Sequence, residues 1–326
     1  MKAAVIDEPG SGTQVSIREI PLPLPGAGEV LLKCEFAAVN HVDTFIRAGA
    51  YRTALPRPFV IGRDVVGTVE ALGPQVRGVV PGQRMWTNSM GYDGRQGVIS
   101  EFACIPVNRL LPVPEQLDEP QVLAATAHSF TTTWLALSAL LNTDSPRKVF
   151  IGGAAGNVGS VAVQFAHATG AYIVASASAA DRNWVQSLGA DLILDYKDPM
   201  LAAKAVHNPQ QGIDIWWDTS GHQDLTQVIP ALSIGGTVLL SAGISSSSDL
   251  PVGAVYTRNI SVKGFAVSNA TAQQLHAAAL RLNDFLGRHP LKYHSAGIFP
   301  LDQAARAHQL VESGQAHGKV LVRLSD

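Results

Sequence analysis

Lys148-Val-Phe-Ile-Gly-Gly-Ala-Ala-Gly-Asn-Val-Gly159, running on through Ser160-Val-Ala-Val-Gln-Phe-Ala-His-Ala-Thr-Gly-Ala-Tyr-Ile-Val-Ala175, is the stretch whose reading decides the fold. Its first four residues form a short apolar run that ends in glycines, as a buried strand does. Val158, Val161, Ala162, Phe165 and Ala166 then recur at i, i+3, i+4, i+7 and i+8, which is one face of a helix. Gly170 suits the left-handed position just past a helix end, and Ala171–Ala175 predicts a second strand. Strand, glycine loop, amphipathic helix and strand in this order are the context a dinucleotide-binding turn requires. Counted as a fingerprint the loop reads A-x-G-x-x-G, with Ala154 where the first glycine usually stands. Gly153 opens the turn, Gly156 lets backbone approach a pyrophosphate, and Gly159 lets helix and strand pack closely. The helix N-terminus adds free N–H groups and a partial positive charge. An ordinary tight turn at a strand–helix junction is the competing reading of the glycines alone.

Downstream the alternation continues. A helix is predicted from about Asp181 to Gly189, and strand-like runs recur at Leu192–Leu194, Ile213–Trp217, Thr237–Ser241 and Ser261–Phe265. Strands alternating with helices at this length imply a doubly wound parallel sheet in an α/β fold. Upstream, Glu29–Phe36 and Asp64–Ala71 read as strands between proline and glycine turns, and the best helix there is the short Val42–Ala48. A longer helix is predicted from about Glu119 to Leu141. Residues 1–124 are therefore expected to form a β-rich domain and 125–267 the dinucleotide-binding domain. Residues 268–326, ending in the strand Lys319–Arg323, are expected to return to the first.

Composition narrows the function. Charged residues make up 15% of the 326, against the ~25% of ordinary soluble domains, while hydrophobic ones make up 46%. Net charge is −2 with no long run of either sign, which argues against gripping nucleic acid or anionic lipid. Two cysteines, Cys34 and Cys104, cannot build a disulfide framework. The chain shows no signal-peptide pattern at its start and no apolar stretch near the ~20 residues of a membrane span. A soluble, cytoplasmic protein acting on a small molecule is expected.

The end of the second strand bears on cofactor choice. Twenty positions beyond Gly156, where an acid would bind the ribose 2′-hydroxyl of NAD, stands Ser176. Ser178 and Arg182 follow, and a hydroxyl pair with a guanidinium suits a 2′-phosphate, so NADPH is expected over NADH. Asp181 suits a helix N-cap. Catalytic zinc needs three ligands, yet the ten histidines are scattered and no H-E-x-x-H occurs. G-x-S-x-G is absent too. Hydride transfer, with the reactive atom supplied by the cofactor, is the chemistry left.

Taken together the chain resembles the zinc-free quinone oxidoreductase (zeta-crystallin-like) group of the medium-chain dehydrogenases/reductases. The resemblance runs through Met1–Val5, Val39-Asn-His-Val-Asp-Thr-Phe-Ile-Arg-Ala-Gly-Ala-Tyr51, Ile61–Val69 and Pro81–Met85. It continues through Gly153–Gly159, Leu188–Asp191, Gly235-Gly236 and Gly318-Lys-Val-Leu-Val322. It implies a β-rich GroES-like catalytic domain beside the Rossmann domain, NADPH as cofactor and a homodimer. Zinc-containing relatives carry a cysteine at Asn40 and Gly-His-Glu at Gly62-Arg63-Asp64, so the resemblance implies no metal. It puts Asn40 near the nicotinamide and substrate, as a donor to a carbonyl oxygen or as the cap of the following helix. Phe45 stands where the group often has tyrosine, which removes a proton donor and leaves solvent or Tyr51 to supply it. Thr132 matches a position near the nicotinamide ring. Asn157, Val158, Tyr196, Ser241, Ala242, Gly243, Phe265, Val267 and Lys319 match cofactor-side positions. Asp43 and Arg47 are expected to pair as i, i+4 neighbours, and His41 to be a packing or turn residue. Reduction of quinones or similar conjugated carbonyls is the activity implied. Reduction of the C=C bond of a 2-alkenal or enone is an alternative, as is a non-enzymatic NADPH-binding sensor or structural protein.

Overall fold

A computed structural model describes residues 1–115, 117–141, 147–206 and 212–325. The chain divides into two compact units, Met1–His128 with Thr271–Asp326, and Ser129–Ala270. The first segment carries β1 (Lys2–Ile6), β2 (Ser16–Glu19), β3 (Glu29–Val39), α1 (His41–Ala48) and β4 (Phe59–Val60). It continues with β5 (Asp64–Leu72), β6 (Arg84–Thr87), β7 (Phe102–Pro106) and β8 (Leu111–Pro112). The helix α2 (Pro120–Leu141) runs across the boundary. Then come β9 (Lys148–Gly152), α3 (Asn157–Ala168), β10 (Tyr172–Ala177), α4 (Arg182–Ser187), β11 (Leu192–Asp195) and α5 (Leu201–Ala205). The second unit ends with β12 (Ile213–Asp218), α6 (Leu225–Ala231), β13 (Leu232–Leu240), α7 (Val252–Thr257) and β14 (Ser261–Gly264). The chain returns to the first unit with α8 (Ala272–Arg288), β15 (Ser295–Pro300), α9 (Ala304–Glu312) and β16 (Lys319–Arg323).

In the second unit six strands lie in the order β11-β10-β9-β12-β13-β14, every neighbouring pair parallel. Order reverses between β9 and β12, the switch point at whose carboxyl ends such sheets bind ligands. Consecutive residues are buried on both faces: Val149, Phe150 and Ile151 in β9, and Ile215, Trp216 and Trp217 in β12. That lack of alternation is what helices on both sides of a parallel sheet produce. Phe150 and Trp216, register partners, stack with ring centroids 3.7 Å apart. β13 begins at Leu232, directly after α6, rather than at the expected Thr237. The Gly235-Gly236 pair, which lies ahead of the expected strand, falls inside β13, with Gly235 at φ +77°.

The first unit is built on β3, an eleven-residue strand that pairs with β5, β7 and β16, all antiparallel. β16 thus stitches the end of the chain beside residues 36–39. Leu32, Cys34, Val65, Val69, Ile105 and Val322 fill one contiguous core. α1 buries Asp43, Thr44, Ile46 and Arg47 while His41 and Phe45, one turn apart, stay exposed. Arg47 does not pair with Asp43. Its guanidinium instead donates to Gly10 O at 2.7 Å and meets Glu312 of α9 at 2.7 Å, because α1 presents it to the returning helix.

Candidate functional site

The glycine loop of the second unit lies at the switch point. Gly153 takes φ +65°, a conformation that favours glycine, and its carbonyl accepts the Gly156 N–H at 2.9 Å. Gly156 is the N-cap of α3. A Cβ on Gly159 would lie 2.2 Å from Gly153 O and 2.8 Å from Ala154 Cα, so the first turn of α3 touches the loop backbone. The early N–H groups of a helix have no intrahelical partner, and here they face a loop without side-chain bulk. Asn157 and Val158 are half-buried in that turn. Two devices fix the loop: Ala154 N–H donates to Ser176 O at 3.0 Å, and the Thr219 hydroxyl donates to Gly152 O at 2.8 Å. Asp218, at the end of β12, holds the turn carrying Thr219 by accepting from Ser220 N–H, Ser220 Oγ and His222 N–H at 2.7–3.1 Å. Neither Asp218 nor Thr219 stands out in the sequence. These residues fit the pyrophosphate of a dinucleotide.

The ends of β10 and β11 carry the residues expected to face an adenosine. Ser176 is buried, and Arg182 is exposed at the start of α4. Asp181 occupies the N-cap position without a side-chain capping bond. Its carboxylate instead accepts the Ser178 hydroxyl at 2.6 Å. Tyr196 is exposed after β11, with the Lys197 ammonium 5.6 Å from its ring centroid. At the other end Ser241 Oγ accepts Trp217 Nε1–H at 2.8 Å, and Phe265 lies 6.0 Å from the Trp217 ring. Gly243, at φ +84°, packs on Gly221, and Ala242 sits between it and Ser241. Val267 and Thr132 are buried in this unit.

The first unit holds a charged network. Asn40, N-cap of α1, donates through Nδ2 to Asp64 Oδ2 at 2.8 Å and to Asp43 Oδ2 at 3.2 Å, while its Oδ1 accepts from Lys319 Nζ. Its backbone N–H also donates to Asp43 Oδ2 at 2.7 Å. His128 Nδ1 lies 3.8 Å from Asp64 Oδ1. Asn40, Asp43, Arg63, Asp64 and Lys319 are all at most 6% exposed. Burial and the neighbouring Asp64 charge push Asp43 up to about 7. Burial pushes Asp64 up as well, yet His128, Lys319 and Asn40 together hold it below the usual carboxylate range. Burial depresses Lys319 and His128, against the pull of Asp64 on both. Lys319 thus meets Asn40 rather than open solvent, and Asp43, Arg63, Asp64 and His128 are members of the site that motif reading did not single out together. Among the described residues no group of three or more His, Cys, Asp or Glu is arranged to hold a metal ion. Phe45 and Tyr51 stand outside the network. Phe45 is exposed, and Tyr51 meets Tyr92 edge to face.

Comparison with known proteins places these two units. Residues 26–115 match the alcohol dehydrogenase GroES-like domain, and residues 157–282 match the zinc-binding dehydrogenase family. Quinone oxidoreductase of Sus scrofa is 29% identical over 309 residues, 94% of this chain and 92% of that protein. A solved NAD-dependent alcohol dehydrogenase superposes with a TM-score of 0.89 at 28% identity over the whole of both chains. A mycobacterial protein complexed with NADPH superposes with a TM-score of 0.85 at 26% identity, covering 99% of this chain and all of that one. The two matched domains, in this order along the chain and with relatives spanning nearly its full length, make the protein an oxidoreductase that belongs to the quinone oxidoreductase group of the medium-chain dehydrogenase/reductase superfamily.

Proposed function

We propose that the protein is an NADPH-dependent reductase of quinones or similar conjugated carbonyls and that it works without zinc. The observation that carries this reading is the bonding of Asn40. Where zinc-containing relatives have a cysteine ligand, this chain has an amide tied to two carboxylates and an ammonium. Arg63 and Lys319 add two buried positive charges beside those carboxylates, and such charges repel a divalent cation. The residues do not fit zinc. With its pyrophosphate held at the glycine loop the cofactor would supply a hydride from its nicotinamide, and the acceptor would then need only one proton.

The loop and α3 would hold the pyrophosphate, Ser176, Ser178, Arg182 and Tyr196 the adenosine side, and Ser241–Gly243 with Phe265 and Val267 the nicotinamide side. The Asn40 amide has both hydrogens engaged by carboxylates, so its part in the reaction is to set the field at the acceptor. Phe45 offers an aromatic wall without a proton. The Sus scrofa relative is named a quinone oxidoreductase, which supports the acceptor class.

The test is NADPH oxidation by the purified chain with a quinone, and separately with a 2-alkenal, before and after dialysis against a chelator. Quinone-dependent oxidation that survives chelation is expected. Activity confined to the alkenal, or restored only by added zinc, would overturn the assignment, and tight cofactor binding without any turnover would favour a sensor. We also propose a homodimer joined along the β14 edge. Ile234, Val252 and Tyr256 are 75%, 63% and 71% exposed, and Val262 lies on the edge strand itself. Light scattering should give twice the chain mass. Cys34 and Cys104, both free thiols, suit a reducing cytoplasm.

A further inference from the structure

Beside the Asn40 network the first unit carries an aromatic wall with guanidinium groups along it. Tyr51 and Tyr92 meet edge to face, with ring centroids 5.7 Å apart. The Arg63 guanidinium carbon stands 5.7 Å from the Tyr92 ring centroid, a cation–π distance. Arg63 is 2% exposed, and its charge acts on Asp43 and His128. The wall therefore adjoins the network on that side. Arg95 donates through Nε to Ser89 O at 3.2 Å and meets Asp93 at 3.4 Å. The Arg109 guanidinium has no hydrogen-bond or ion-pair partner among the described residues.

The segment that carries these groups is fixed. Asp93 N–H donates to Thr53 Oγ1 at 2.8 Å, Gly94 N–H to Ala54 O at 2.9 Å, and Gly97 N–H to Val60 O at 2.8 Å. Tyr92 and Arg95 are thereby held against the strip that carries Tyr51. Burial lowers the Arg109 pKa, and the like charges of Arg95 and Arg63 act in the same direction, with only Asp93 opposing them. Among the described residues the carboxylate that acts on this pair of arginines is Asp93, and its side chain is 75% exposed. In a chain with few charges and a net charge of −2, a half-buried, unpaired guanidinium beside two others calls for an anion from outside.

We propose that Arg95 and Arg109, with Tyr51 and Tyr92 as the flat wall, bind an anionic substituent of the acceptor. The preferred acceptors are then quinones or conjugated carbonyls bearing a sulfonate, carboxylate or phosphate group, rather than their neutral analogues. This rests on the acceptor reading given above. The chemistry is that of planar guanidinium groups recognising oxyanions through paired charge-assisted hydrogen bonds. The aromatic faces take the conjugated ring.

The experiment is calorimetric titration of the full chain, without cofactor, with a naphthoquinone sulfonate and with its neutral 2-methyl counterpart. The sulfonate should bind more tightly, and its advantage should shrink as salt rises. Arg109→Gln should lower the sulfonate-to-neutral affinity ratio about tenfold. Asp93→Asn should raise that ratio about threefold, and asparagine tolerates the left-handed φ of +55° found there. A ratio unmoved by both substitutions, or lowered by Asp93→Asn, overturns the proposal. Turnover is measured separately. Reduction of both quinones with no binding preference sinks the anion site alone. A binding preference that persists while neither quinone is reduced sinks the acceptor reading and leaves the site standing.

Discussion

Asn40 has two amide hydrogens and one carbonyl oxygen, and the protein uses all three internally, on Asp64, Asp43 and Lys319. A buried charge costs several kcal/mol unless it is paired and hydrogen-bonded, so the amide keeps two carboxylates and an ammonium tolerable in one small space. Removing one member should cost far more than removing an oppositely charged set. Lys319→Met leaves Asp43 and Asp64 short of a counter-charge and should destabilise the protein by about 3–5 kcal/mol. Adding Asp64→Asn to that variant should cost less than the sum of the two single changes, a positive coupling of about 1–3 kcal/mol. Urea unfolding of the four proteins closes the cycle, and strict additivity would mean that the two groups do not sense each other. None of this is visible in sequence. Asn40 and Lys319 lie 279 positions apart, and a polar contact between distant strands leaves no periodic trace in either. The motifs flagged Asn40 and Lys319 separately, on different grounds; the folding of β16 against β3 is what joins them.

At the scale of elements, the β9–α3–β10 unit was the most legible part, since its helical period and its glycines are local signals that tertiary packing then reinforces. The strand order β11-β10-β9-β12-β13-β14 puts β9, the first strand of this unit, inside the sheet, with later strands added outward on either side. Less legible was β13, which starts at Leu232 and is interrupted before Thr237, where the register with β12 shifts and Gly235 takes φ +77°. Function at this scale depends on how closely α3 approaches its loop. Gly159→Ala puts a methyl 2.2 Å from Gly153 O. Backbone would have to move, and dinucleotide affinity should fall at least about tenfold, at a stability cost of about 1–3 kcal/mol. Fluorescence titration with NADPH measures the first and urea unfolding the second; unchanged affinity would remove the loop from the cofactor site. On the NADPH reading proposed above, cofactor choice belongs to the β10–α4 connection. Arg182 is free to meet a 2′-phosphate, but the Ser178–Asp181 hydrogen bond sets a carboxylate beside it. Arg182→Ala should therefore weaken NADPH about tenfold more than NADH, while Asp181→Asn should shift preference further toward NADPH. Equal effects of either change on both cofactors would return the choice between them to other residues.

Over the whole molecule, the scarcity of charge concentrates pH sensitivity in a few buried groups, and His308 is the clearest of them. It is fully buried on α9, neither ring nitrogen has a hydrogen-bond partner among the described residues, and burial with the adjacent Arg47 charge drives it down to about 3. An unfolded chain protonates this histidine near 6.5. Between those two values the unfolded state binds a proton that the folded state refuses, so stability is present above the window and falls as pH drops through it, by up to ~1.4 kcal/mol per unit. Asp43 has the opposite sign. Its folded value of about 7 exceeds the unfolded 3.8, so its stabilisation is complete below 3.8 and is lost as pH rises toward 7. Over the shared range the two slopes oppose each other and flatten the profile of the intact protein. His308→Leu removes one slope, fills much of the same volume and leaves the Arg47–Glu312 contact in place. The variant should gain on the parent steadily as pH falls from about 6.5 toward 4, whatever slopes the other buried groups, His128 among them, add equally to both proteins. Urea unfolding of both proteins at several pH values measures the difference. A gap between them that does not change with pH would mean that His308 is protonated alike in the folded and unfolded chains.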